Sequence, residues 1–189
     1  MEHPVIGFAM CGSFCTFDRV LHELESLAHN YEIIPILSET SRWTDNRFGK
    51  AGDFAARIRK ICGREIICDL PGAEPIGPKE LLDALVIAPC TGNTIAKLAN
   101  GIADSAVTLA CKAHLRNESP VVVAVSTNDG LGGNAENIGK LLARKHFYFV
   151  PFGQDDPAQK PRSLVADFAK IGDALGMALD GRQIQPILI

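Results

Sequence analysis

Short β-branched runs alternate with helix-length amphipathic stretches along the chain. That pattern belongs to a mainly parallel sheet covered by helices on both faces. Strands are predicted over residues 5–10, 32–37, 65–68, 84–88, 121–126 and 147–150, where Val, Ile and Phe gather in runs too short for a helix. Between them, 17–29 places Val20, Leu21, Leu24 and Leu27 on one helical face, and 52–62 does the same with Phe54, Ile58 and Ile61. Further helices are predicted over 95–100, 105–115, 137–145 and, as one long terminal element, 163–179.

No repeat or low-complexity stretch interrupts this alternation, so residues 1–189 are expected to form a single domain. Right-handed crossovers favour an α/β, doubly wound, Rossmann- or flavodoxin-like three-layer sandwich with a mainly parallel six-stranded sheet. Such sheets take ligands in the crevice beyond the carboxyl ends of their strands. The loops over 11–16, 38–46, 89–94 and 127–134 therefore carry the functional expectation, and all are rich in Gly, Ser, Thr and Asn.

Composition narrows the choice of partner. A net charge of -3 offers no basic face for nucleic acid. No apolar run approaches the roughly 20 residues that span a bilayer, and the first four residues lack the character of a signal peptide, so a cytoplasmic protein is expected. The six cysteines stand singly in apolar surroundings without a C-x-x-C pair, which predicts buried reduced thiols and no metal site.

Three loops carry candidate chemistry. After the first strand, Gly12 lets the backbone approach a ligand and Ser13 offers a hydroxyl beside a helix start, a phosphate cradle or an ordinary capped turn. The spacing fits neither G-x-G-x-x-G nor a P-loop. Ser38 and Thr40 follow the second strand and could add hydroxyls to the same anion. Trp43, the single tryptophan, either stacks on a flat ring or covers a loop. The most specific run is Pro89-Cys90-Thr91-Gly92-Asn93-Thr94: Thr91 and Thr94 can cap a helix, and Asn93 offers both a donor and an acceptor to the imide edge of a flavin.

The last run, with Ile95 to Asp104 after it, resembles the P-A-S-A-N-T motif of the flavin-containing cysteine decarboxylase superfamily. Within it the likeness is greater to the branch that supplies the flavoprotein component in dipicolinate formation. It runs through Gly12-Ser13, Asn46-Arg47-Phe48-Gly49, Glu74 to Lys79, Ser126 to Asp129, Pro151 to Pro157 and Gln185 to Leu188, across essentially the whole chain. The resemblance implies bound flavin mononucleotide (FMN), homo-oligomers built from trimers, a companion dipicolinate synthase polypeptide that looks nicotinamide-dependent, and a small dicarboxylate as substrate. It places Gly12, Ser13 and Ser38 near the phosphate and ribityl chain, and Thr91, Asn93 and Thr94 beside the ring.

Two departures matter. The decarboxylases use a His before an Ile ahead of the motif strand, where this chain has Pro75-Ile76, and proline has no side-chain proton to move. Their P-M-N substrate loop is replaced here by Ser126 to Gly133. The catalytic residue is thus unassigned from sequence. For Asp129, a turn-forming Asx pair is favoured over an acid-base role. Arg42, Arg47, Lys97, Lys112 and Arg116 are candidate cations for a dianion, with surface charge as the competing reading. Cys90 reads as core rather than nucleophile, and none of His3, His22, His29, His114 or His146 is assigned a catalytic role.

Overall fold

Five parallel strands carry apolar runs read from the sequence, in a computed structural model that describes residues 3–189. In chain order the elements are β1 (Val5–Met10), α1 (Phe17–Leu27), β2 (Glu32–Leu37), α2 (Glu39–Trp43), α3 (Ala51–Cys62), α4 (Leu70–Ala73), β3 (Ala84–Cys90) and α5 (Gly92–Ala99). There follow α6 (Ala106–Leu115), β4 (Val121–Thr127), α7 (Ala135–Leu142), β5 (Phe147–Phe149), β6 (Phe152–Gly153), β7 (Leu164–Ala166) and α8 (Ile171–Leu179).

The sheet runs β2-β1-β3-β4-β7-β6, with β5 also paired to β4. β1 pairs in parallel with both β2 and β3, β3 with β4, and β4 with β5, while β7 is antiparallel to β4 and β6. β3 is buried at every position and β4 at all but its last, which explains why neither shows polar alternation. Helices cover both faces. On α1, Val20, Leu21, Leu24 and Leu27 are all buried against the core, each contributing about 2 kcal/mol. Among the described residues, no helix is long and apolar enough to cross a membrane.

Three expectations need correction. The strand predicted over 65–68 shrinks to a single parallel bridge between Ile67 and Ile36. Asp69 ends it by capping α4, accepting from the Gly72 amide at 2.8 Å. The helix predicted over 163–179 starts instead as β7; the Asp167 side chain then accepts from the Ala169 amide and begins a 3-10 turn, and α8 follows from Ile171. Residues 38–46, expected as loop, contain α2, because Ser38 is an N-cap whose side chain accepts from the Ser41 amide. With 65–68 lost as a strand and β6 and β7 gained, the sheet has seven strands rather than six.

β1 lies between β2 and β3, so the direction of winding reverses there and the carboxyl ends of these strands open a crevice. The strand ends are laced across it. Cys11 N–H donates to the Pro89 carbonyl at 3.1 Å, and Ser38 N–H to the Met10 carbonyl at 3.0 Å.

Candidate functional site

Beyond the carboxyl ends of β1, β3 and β4 lies a cleft of about 830 Å³, within the usual size of small-molecule sites. Of the nine residues expected to bind a cofactor, Gly12, Ser13, Thr91, Gly92 and Asn93 line it. Ser38, Thr40, Pro89 and Thr94 do not. Ser38 is engaged in capping α2, its hydroxyl 2.9 Å from that of Ser41. Thr40 is exposed and lies against the first loop, where a β-carbon built on Gly12 would sit 3.2 Å from Thr40 Cγ2. Pro89 is the buried end of β3, and Thr94 is buried, its hydroxyl donating to Cys11 Sγ at 3.3 Å. Pro89 and Thr94 thus lie beneath the lining, while Ser38 and Thr40 stand beside the first loop at the start of α2.

The first loop presents unmet donors. Ser13 N–H returns to the Cys11 carbonyl at 2.7 Å and Thr16 N–H to the Ser13 carbonyl at 3.1 Å, while the amides of Gly12, Phe14 and Cys15 find no acceptor among the described residues. Ser13 Oγ lies 2.8 Å from Ser126 Oγ, joining the ends of β1 and β4. Across from them α5 begins in the cleft, Thr91 accepting from the Thr94 amide at 3.4 Å. The Gly92 and Asn93 amides belong to a first helical turn, which has no intrahelical acceptors. The Asn93 side chain is exposed and engages no described residue.

The Asp129 carboxylate anchors the floor. Thr127 Oγ1–H donates to it at 2.5 Å and Asn134 Nδ2 to both of its oxygens at 2.9 Å. The Thr127 hydroxyl and then Asn134 hold this carboxyl below its ordinary value of 3.8, so it stays ionised and has no proton to give near neutrality. Its carbonyl accepts from the Gly132 and Asn134 amides, closing the turn that the sequence suggested. Gly92 faces this knot: a β-carbon there would lie 2.5 Å from Asn134 Nδ2 and from Thr127 Oγ1. The absent side chain lets α5 start against the turn.

Of the five candidate cations, Arg47 alone enters the cleft. Arg42 lies over the Trp43 ring at 4.1 Å, and Trp43 is 64% exposed, outside the lining. Lys97 is paired with Asp104 at 2.8 Å. Lys112 and Arg116 line a separate cavity of about 270 Å³. Sequence reasoning missed Arg19, Phe14 and Phe48 as lining residues, together with Asp155, Lys160, Ser163 and Val165, which arrive on the β6–β7 return. Arg19 sits in the first turn of the helix after the Gly12 loop, a position that could have flagged it. Two- and three-residue strands give no periodic signal for the rest.

None of the five histidines is among the lining residues. His3 and His29 lie at the opposite edge of the sheet, and His114 is buried, its Nε2–H donating to the Pro120 carbonyl at 3.1 Å. Burial pushes the Cys90 thiol well above its usual range, Cys11 to about 11, and Cys111 and Cys62 each to about 12. These thiols remain protonated, three of them in the core and Cys62 half-buried beside it. The expectation of burial holds for Cys11, Cys90 and Cys111 only: Cys62 and Cys68 are half-buried, and Cys15 is exposed within the cleft.

The donor set suits one kind of ligand. Side-chain-free Gly12 and its unmet neighbouring amides match a phosphate, the Ser13 and Ser126 hydroxyls match a polyol, and Asn93 beside a helix start matches the hydrogen-bonding edge of a flat heterocycle. A phosphorylated flavin fits these residues.

Comparison with known proteins agrees. Residues 1–161 match the model of the family described as Flavoprotein. The B subunit of dipicolinate synthase from Bacillus subtilis (strain 168) is 43% identical over 185 residues, which cover 97% of this chain and 92% of that protein. The crystal structure of its counterpart, the same subunit of the enzyme from Bacillus halodurans C, matches with a TM-score of 0.91 at 44% identity, over 100% of this chain and 97% of that one. That of the FMN-dependent cysteine decarboxylase SpaF matches with a TM-score of 0.69 at 23% identity, over 93% and 97%, a likeness of fold.

Proposed function

The chain belongs to the flavoprotein family, and from that premise we propose that it works as the flavoprotein component, the B subunit, of a dipicolinate synthase. The observation that carries this reading is the near-full-length similarity to the Bacillus subtilis protein, joined to a cleft whose unmet donors suit FMN. In this reading FMN is the cofactor, the companion polypeptide of the synthase is the protein partner and a dihydropyridine dicarboxylate the substrate. The protein is a cytoplasmic oxidoreductase component of the sporulating mother cell, assembled into homo-oligomers built from trimers.

When bound, a flavin supplies acceptance of a hydride and a proton, the loss that turns a dihydropyridine into an aromatic pyridine. The chain supplies binding and orientation. The Gly12, Phe14 and Cys15 amides would hold the phosphate, Ser13 and Ser126 the ribityl hydroxyls, and Asn93 the ring edge. Asp129, through Thr127 and Asn134, fixes the turn against which Gly92 and Asn93 are set. Phe48 and Val165 wall the cleft with apolar surface.

A decarboxylase of cysteinyl substrates, the alternative within the superfamily, lacks its acid-base group: Pro75 occupies the histidine's position in a 3-10 turn, and no histidine lines the cleft. The test is an absorbance spectrum of the purified protein followed by reconstitution with the companion polypeptide. Expected are a yellow protein that releases FMN on denaturation and dipicolinate formation that needs both chains. A colourless protein would remove the flavin. Full-rate synthesis by the companion on its own would reduce this chain to a flavin-holding scaffold, and carbon dioxide release from a cysteinyl substrate would restore the decarboxylase.

A further inference from the structure

Charge in the cleft is unevenly answered. Of its three cations, Lys160 is paired with Asp155 at 3.2 Å. The second acidic side chain, Asp129, is already satisfied by Thr127 and Asn134. Arg19 and Arg47 remain, lining the same cleft with no ion pair or hydrogen bond to a described residue. Each has its guanidinium carbon over an aromatic ring: Arg47 over Phe48 at 4.8 Å, and Arg19 over Phe168 at 5.0 Å. Such a cation–π contact restrains the side chain without using its N–H groups, which remain available to take a planar oxyanion with two parallel hydrogen bonds. Arg42 stacks on Trp43 in the same way outside the cleft, so stacking alone does not mark a site. Stacking within the cleft, without a partner, does.

We infer that Arg19 and Arg47 recognise the carboxylates of the substrate and select a dianion over a monoanion. This inference rests on the proposed function, and it assigns that site's substrate recognition to two named residues. The cofactor's phosphate is a competing anion, but the loop amides around Gly12 already offer it a set of donors. A flat pyridine dicarboxylate has only the side chains of the cleft to meet its charge.

The test is calorimetric titration of the full-length protein, as purified, with pyridine-2,6-dicarboxylate and with pyridine-2-carboxylate, alongside flavin content per chain and a thermal melt. The dicarboxylate is expected to bind about tenfold or more tightly than the monocarboxylate. Arg47→Gln and Arg19→Gln should each weaken the dicarboxylate by roughly tenfold or more, the loss of one charge-assisted contact. Arg47→Lys, which keeps charge without the fork, should recover part of the affinity. Arg42→Gln should change nothing, and flavin content should be equal in all. Wild-type dicarboxylate affinity in both glutamine variants would overturn the inference. So would loss of flavin in step with loss of dicarboxylate, which would return the arginines to the cofactor's phosphate. Flavin content judges the functional reading separately, since the titration reads dicarboxylate binding whether or not flavin is present.

Discussion

Two clefts of about 830 Å³ each sit at opposite ends of the strands. In the one at the amino ends, lined by His3, Asn30, Glu32 and Asp83 among others, every ionisable histidine and carboxylate of the lining has a partner. His3 Nδ1–H donates to the Asn30 carbonyl at 2.9 Å, Asp83 accepts from the Val5 amide at 2.7 Å, His29 Nδ1–H donates to the Glu25 carbonyl at 2.8 Å, and Glu32 is paired with Arg64. At the carboxyl ends, loop amides, the Asn93 amide and two guanidinium edges have no such partners. Equal volume thus hides opposite chemistry. What separates a site from a crevice is polar groups held in place but not yet satisfied.

The strongest way to break this contrast is to fill the carboxyl-end floor. Gly92→Val should clash with Asn134 and Thr127 and cost about 3 kcal/mol by chemical denaturation, with flavin retention lost as well. A variant of unchanged stability would show that the start of α5 is not set by that contact. A smaller effect is expected at Asn93→Ala: flavin should be held about fivefold less tightly, the value of one neutral hydrogen bond, while the melting temperature stays put because no described residue bonds that side chain. At the amino end the outcome should invert. Asp83→Ala should lower stability by about 0.5–1 kcal/mol through the lost Val5 contact and leave flavin retention unaltered; a change in flavin binding there would erase the distinction.

The subtlest test is pH. Desolvation holds His114 below its ordinary 6.5, against the opposing effects of Pro120 and Asp83. The unfolded chain therefore takes up a proton that the folded one refuses, and stability present above pH 6.5 declines as pH falls through that value. His114→Gln should flatten this part of a pH–stability curve. Asp129, also held low, contributes stability above 3.8 that is lost as pH falls below it, so Asp129→Asn should flatten the curve in that acid range. Exchanged windows would contradict the assignment of either group.

Much of the fold was legible because burial writes itself into strands. β1 and β2 match their predicted bounds, and β4 differs by one residue, each being a mainly buried, mainly apolar run. Residues 65–68 misled because Ile66 and Ile67 look like a strand core, although the Asp69 cap turns the chain after one bridge. Around Leu164-Val165-Ala166 the opposite happened: three residues suffice for a ladder with Ser126 and Thr127, yet three residues carry no period. The site divides the same way. Gly12, Ser13 and Asn93 follow from the rule that ligands meet strand-end loops. The pairing of Ser13 with Ser126 spans 113 residues, and the placing of Arg19 rather than Lys97 in the cleft depends on packing that no local pattern encodes.

β4 divides its partners along its length, giving Val121 to Val123 to β5 and Ser126 and Thr127 to β7. The wall bearing Asp155, Lys160 and Ser163 is thus joined to β4 by a two-rung ladder and by the Ser163 hydroxyl, which donates to the Thr127 carbonyl at 3.3 Å. The same segment is tied down elsewhere: Val150 N–H donates to the Val123 carbonyl, Leu131 N–H to the Arg162 carbonyl, Phe152 N–H to the Ile187 carbonyl and Ile189 N–H to the Phe152 carbonyl, and Phe152, Leu164 and Ala166 are buried. A redesign of that wall would therefore have to carry residues 130–132 and 187–189 with it, while Arg19 and Arg47, which belong to other stretches of chain, would stay behind.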